Sequence, residues 1–266
     1  METAKIKIQA CVRDIDRWMV TNRLKLNSDK TEVLVLSAAH RPRPPIGDFQ
    51  ICNDNISPSS AVRNIGVIFD ENMSLEKHIT SVCKSCFFHI RNISKIRKYL
   101  SPQACIKLVH AFITSKLDFC NSLLYGLPKS PIQKLQHVQN AAARVVSLSR
   151  KYDHITPVLY RLNWLPVEQR IEFKLLLLTF KALHNTAPSY LRELIEPYVP
   201  SRSLRSSNLN FLSKPVFKLK SYGKRSFSCA APELWNSLPL NIRSVNSLST
   251  FKKLVKTWLF RRTYDL

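Results

Sequence analysis

The sequence predicts a mainly α-helical chain with a small β portion at its N-terminus. Three observations carry that expectation. Apolar residues return at three- and four-residue steps over most of the chain, as one face of an amphipathic helix requires. Ser101-Pro102 and Ser130-Pro131 each place a capping hydroxyl before a proline suited to the first helical position. Extended apolar patterns are concentrated in residues 33–69.

In the first segment, 1–70, Ile8, Cys11, Val12, Ile15, Trp18 and Met19 mark one face of a helix. Asn27-Ser-Asp-Lys30 is a turn, and Val33-Leu-Val-Leu36, with no polar interruption, reads as a strand covered on both faces. Residues 41–45 break it, Phe49-Gln-Ile-Cys52 resumes an extended pattern, Asn53-Asp-Asn55 turns, and 61–69 is a third strand. Asp70 and Glu71 then form a solvated turn that starts a helix.

From Ser74 the period becomes helical, opening a second segment, 71–150. Ile79, Val82, Cys83, Cys86, Phe87, Ile90, Ile93 and Leu100 share one side, while Lys77, Lys84, Arg91 and Lys98 recur every seven residues, with Lys95 beside them. No acid lies between Lys77 and Leu117. A solvated helix face normally mixes charge signs, so a one-signed stripe of this length points to a phosphate backbone. The two Ser-Pro helices follow, ending near Tyr125-Gly126 and Leu148-Ser149, the second with a seam of Ile132, Leu135, Val138, Ala142 and Val145. The segment 151–200 continues the bundle, with a short helix at 157–162, a longer one from Pro166 to about His184, and another after Pro188.

The last segment, 201–266, is strongly basic, and Glu233 is its only acid before Asp265. Residues 201–207 read as a loop, 216–219 and 225–227 as a hairpin around Tyr222-Gly223, and 249–260 as a helix. That helix carries Phe251, Leu254, Val255, Trp258 and Leu259 on one face, which should fold back on Trp235 and Leu238.

Composition narrows the function. Forty-one Lys and Arg against 18 Asp and Glu leave a formal charge of +23 on 266 residues, and a polyanion is the commonest partner for such an excess. Four glycines leave no Gly-rich phosphate cradle. Seven scattered cysteines and no apolar leader imply an intracellular chain, in nucleus or cytoplasm, with reduced thiols, and no apolar run is long enough to span a bilayer. Cys83, Cys86 and His89 offer three metal ligands on one helix, but a structural zinc site needs four, and the cysteines read as core. No metal or other cofactor is expected.

Trp18-Met-x-x-Asn22-x-Leu-Lys-Leu-Asn27-x-x-Lys30-Thr-Glu32, followed by Asn64-Ile-Gly66-Val-x-Phe69-Asp70, resembles the region after the catalytic hairpin in reverse transcriptases of animal non-LTR retrotransposons of the jockey, CR1 and L2 type. The likeness continues through Ser74 to Ile79, Leu117 to Asn121, Gln136 to Arg144 and Ala231 to Pro239, so it covers nearly the whole chain. It implies the end of a polymerase palm over 1–70, a helical thumb over 71–150 and a basic C-terminal domain. It also implies that Lys30 is similar to the lysine of motif D, which assists pyrophosphate departure, that Gly66 and Val67 lie in a primer-grip-like segment, and that the basic stripe holds an RNA/DNA duplex. The family's paired metal-binding aspartates, which hold Mg2+ in the parent polymerase, lie upstream of the residues matched. Asp14 and Asp16, two apart on a helix, cannot share a metal ion, and no Asp-Asp pair occurs.

The expected capacity is therefore nucleic-acid binding without polymerase activity of the chain's own. Two alternatives stand beside it: a mispredicted N-terminus of a whole, active reverse transcriptase, and a degenerate transposon relic.

Overall fold

The computed structural model describes residues 2–38, 46–51, 54–200, 209–217 and 220–265. The chain is mostly helical and divides into two compact units, Met1–Ser81 and Val82–Leu266.

In the N-terminal unit, α1 (Glu2–Thr21) packs on β2 (Phe49–Ile51), which pairs antiparallel with β3 (Asp54–Ile56), Phe49 opposite Ile56. Gln9 Nε2 donates to the Gln50 carbonyl at 3.2 Å, and the Lys5 ammonium stands 5.7 Å over the Phe49 ring. β1 (Val33–Leu34) runs parallel to β4 (Pro58–Ser59), while β5 (Ala61–Asn64) and β6 (Val67–Asp70) form an antiparallel hairpin. Phe49, Ile51, Val67, Leu75 and Ile79 are buried.

Several expectations for this unit are corrected. The strand at 33–36 pairs only through Val33 and Leu34, and Leu36 is 58% exposed, because a two-residue parallel ladder leaves the rest of the run without a neighbour. The single strand at 61–69 is a hairpin: Ile65 (φ 45°) and Gly66 (φ 83°) make a two-residue turn of left-handed backbone between Asn64 and Val67, the twist that tight hairpins favour. Asp54 and Asn55 belong to β3 rather than a turn; residues 41–45 and 52–53 lie outside the described residues. The apolar face of α1 is largely uncovered, with Trp18 62% exposed, since three-residue strands are too short to cap a twenty-residue helix. Asp70 is buried, and its carboxylate accepts from Asn72 N–H (3.2 Å), Ser74 N–H (2.9 Å), Ser74 Oγ–H (3.1 Å) and Leu75 N–H (2.6 Å).

The boundary between the units falls inside α2 (Glu76–Ile96) rather than at 70/71. Residues 82–150 and 151–200, expected as one continuing bundle, fall in one C-terminal unit together with 201–266. Ser101 caps α3 (Pro102–Val109), its Oγ accepting from Ala104 N–H at 3.2 Å. That helix does not run on to Tyr125. It passes through a π-turn (His110–Thr114) into α4 (Ser115–Asp118), and Cys120 at φ 51° turns the chain. α5 (Lys129–Ser147) starts after Pro128 with no side-chain cap, so Ser130 is not its N-cap; it buries Leu135, Val138, Gln139, Ala142, Ala143 and Val146, while Ile132 and Val145 are partly exposed.

α6 (Thr156–Arg161), α7 (Val167–Leu183) and α8 (Ser189–Arg192) follow. α9 (Lys220–Gly223), α10 (Phe227–Ser237), α11 (Leu240–Arg243) and α12 (Leu248–Tyr264) complete the described elements. The hairpin expected around Tyr222-Gly223 is thus helical. Gly223 ends α9, and Ser226 accepts from Ala230 N–H through its carbonyl at 2.9 Å, starting α10. The expected loop at 201–207 lies outside the described residues, as do 218 and 219.

α7 is the central helix, packed against α5, α10 and α12. The Phe180 and Phe251 rings stack at 4.3 Å and Trp235 meets Phe251 at 5.7 Å, so α12 folds onto Trp235 as its apolar face requires. Phe251, Val255 and Leu259 are fully buried, each such side chain contributing roughly 1.5–3 kcal/mol.

Candidate nucleic-acid interface

α2 is amphipathic for a reason visible residue by residue. Ile79, Cys86, Ile90 and Ile93 are buried along one side. At about 100° per residue, Lys84, Arg91 and Lys95 project within about 40° of one another on the other side. All three are exposed. They belong to the C-terminal unit, and they enter no ion pair among the described residues.

Phe88 stands among them, 60% exposed, four residues after Lys84 and three before Arg91. Attention to charge alone passes over it, although its helical angle already placed it on this face. Phe87, expected in the core, is 41% exposed. Behind this face, His89 stacks on Phe112 with ring centroids 5.0 Å apart. Lys134 of α5, itself exposed, lies near enough to Cys83 for its charge to act on the thiol.

Two members of the seven-residue recurrence sit elsewhere. Lys77 is counted with the N-terminal unit, its Nζ 3.4 Å from Ser60 Oγ. Lys98 is off the helix, because α2 stops at Ile96 and a 3₁₀ turn (Arg97–Tyr99) follows; its ammonium lies 4.8 Å over the exposed Tyr99 ring. Arg97, between them in sequence, is buried and structural. Its guanidinium donates to the carbonyls of Val145 (2.9 Å), Val146 (2.9 Å) and Leu100 (2.8 Å), closing the end of α5 where carbonyls lack helical partners.

Lys30 is exposed on a 3₁₀ turn (Ser28–Lys30), with its backbone N–H on the Asn27 carbonyl at 3.2 Å. Gly66 is exposed at the hairpin tip, where it supplies left-handed backbone, and Val67 is buried beneath it. Cys86 is fully buried, and burial pushes its thiol up to about 11; Cys83 is raised by burial too, so both are protonated at neutral pH. Among the described residues no three His, Cys, Asp or Glu side chains converge as a metal site would require. No described helix is long and apolar enough to cross a membrane.

No family model, no curated protein and no solved structure matches this chain.

Proposed function

We propose that the chain binds nucleic acid through the exposed face of α2, as the thumb-equivalent part of a non-LTR retrotransposon reverse transcriptase, with an RNA/DNA duplex as its natural partner. The observation that carries the reading is the exposed, acid-free row of Lys84, Arg91 and Lys95 with Phe88 set among the charges. Ammonium and guanidinium groups meet phosphates and release counterions, while an aromatic ring offers a surface to a sugar or an unpaired base. The buried opposite side fixes the helix, so the charges are presented on a rigid element. Polymerase chemistry is not proposed for this chain, since no Asp-Asp pair occurs in its sequence.

The test is the salt dependence of binding. Replacing Lys84, Arg91 and Lys95 together by Gln should flatten log K against log salt by about 2–3 units if each meets a phosphate. The control replaces Lys252, Lys253 and Arg261, three exposed charges on α12, by Gln. Equal effects of the two variants, or no change in slope for the α2 variant with native circular dichroism, would defeat the assignment.

A further inference from the structure

A second feature of the C-terminal unit shares no residue with the basic face of α2. A cleft of about 480 Å³ opens beside the π-turn, walled by α4, residues 162–165, α7 and α12. That volume is within the usual range for a small-molecule site.

Its lining has three chemically different parts. One wall is apolar and aromatic: Trp164, buried, stands 5.6 Å from the His110 ring, and Phe173 continues the surface. Burial first, and the Arg170 charge next, lower the affinity of His110 for a proton, so its ring is neutral at physiological pH, with Nδ1 3.2 Å from Thr114 Oγ1. The second part is cationic. Arg170 is held by Asp118 through two hydrogen bonds, one of them 2.7 Å, which leaves Lys174 and Lys256 at the cleft without an ion pair among the described residues.

The third part is an unmet acceptor. Asn121 is only 3% exposed, it lines the cleft, and its Oδ1, closed to solvent, has no hydrogen-bond partner among the described residues. Leaving a buried acceptor unpaired is a cost that ligand sites commonly carry. The neighbouring π-turn, His110–Thr114, is a second local departure from regular helix of the kind that recurs at functional sites.

We propose that this cleft binds a nucleoside 5′-phosphate. Lys174 and Lys256 meet the phosphate, the Trp164 and His110 rings receive the base, and a base or sugar donor satisfies Asn121 Oδ1 once the amide turns toward the cleft, since that atom is closed to solvent. Inorganic phosphate alone would leave the aromatic wall and Asn121 unused, and an uncharged aromatic ligand would leave both lysines unused. The same chemistry is presented by a free mononucleotide and by the phosphorylated 5′ end of a strand. The proposal is independent of binding on α2.

The experiment is isothermal titration calorimetry of the full chain with adenosine 5′-monophosphate, adenosine and a 5′-phosphorylated trinucleotide. Saturable one-to-one binding is expected, with the monophosphate about tenfold tighter than adenosine, the worth of one charge-assisted contact. The exposed pair Lys174→Gln and Lys256→Gln should erase that preference, whereas Lys252→Gln with Lys253→Gln should leave it intact. Asn121→Leu should weaken both adenosine and the monophosphate several-fold, with a melting temperature unchanged or raised because a buried unpaired acceptor is gone. If Asn121→Leu does not fold, the lysine pair decides alone. Equal affinity for monophosphate and trinucleotide assigns the site to free nucleotide; a trinucleotide preference assigns it to a strand end. Failure of both to bind the folded chain saturably, or binding indifferent to Lys174 and Lys256, would overturn the proposal.

Discussion

Asp70 shows how one carboxylate can hold a strained segment. Met73 (φ 50°) and Leu75 (φ 58°) take left-handed backbone that costs a residue bearing a Cβ on the order of 1–3 kcal/mol. The segment persists because the Asp70 carboxylate gathers the N–H groups of Asn72, Ser74 and Leu75 and the Ser74 hydroxyl. Asp70→Ala should therefore destabilise the N-terminal unit by about 2–4 kcal/mol, as buried donors lose their acceptor, and Asp70→Asn, which keeps one oxygen, by less. Hydrogen exchange of residues 67–79 measures it; protection equal to the parent's would refute the clamp. The sequence showed an acidic turn before a helix but not its burial, which depends on the backbone N–H groups that fold around the carboxylate. His78 in the same unit is buried, with Ile68 N–H 3.5 Å from its Nδ1, and burial followed by the Arg63 charge lowers its pKa from 6.5. Because the folded value is the lower one, the unfolded chain takes the proton first as pH falls. Stability from this group is full above about 6.5 and is lost on acidification toward the folded value. Urea unfolding of the N-terminal unit between pH 7 and 5 should show that loss, and His78→Leu should flatten it.

At the scale of elements, helices were legible wherever the apolar period ran long. The faces of α2, α5 and α12 and the cap at Ser101 follow from spacing and from a hydroxyl before proline. Short elements were not. The β1 run is apolar throughout yet pairs over two residues, and the segment around Gly223 alternates like a hairpin yet coils into α9, because tertiary neighbours decide where local preference is weak. In the same way charge spacing found Lys84, Arg91 and Lys95, which the structure leaves exposed, while Phe88, at a helical angle among those charges, was passed over because only charge was followed. Its exposure makes a distinct prediction. Phe88→Ala should weaken single-stranded RNA or DNA binding by about 1–3 kcal/mol, one stacked base, and leave the salt slope unchanged, since no phosphate contact is lost. Fluorescence anisotropy with a single-stranded probe at several salt concentrations checks both; an altered slope with unchanged affinity at low salt would show that Phe88 only supports the neighbouring charges.

At the scale of the whole molecule the two units differ in how much core each has. The N-terminal unit rests on two- to four-residue strands and a helix whose Trp18 is exposed. The C-terminal unit stacks Phe180 of α7, Phe251 of α12 and Trp235 of α10 and ties α12 back through Tyr264, whose hydroxyl donates to the Trp164 carbonyl at 2.8 Å. Arg262 adds an ion pair to Glu172. Hydrophobic stabilisation scales with apolar area removed from water, so unfolding should proceed in two steps, with the N-terminal unit first. Phe251→Ala separates the steps, because Phe251 is fully buried in the C-terminal unit and truncation of such a ring costs about 3–5 kcal/mol. The second transition should move to lower denaturant while the first stays in place. Amide exchange along the urea titration reads both, through α7 and α12 for one unit and β5 and β6 for the other. One transition displaced as a whole by Phe251→Ala would mean that the two units unfold cooperatively.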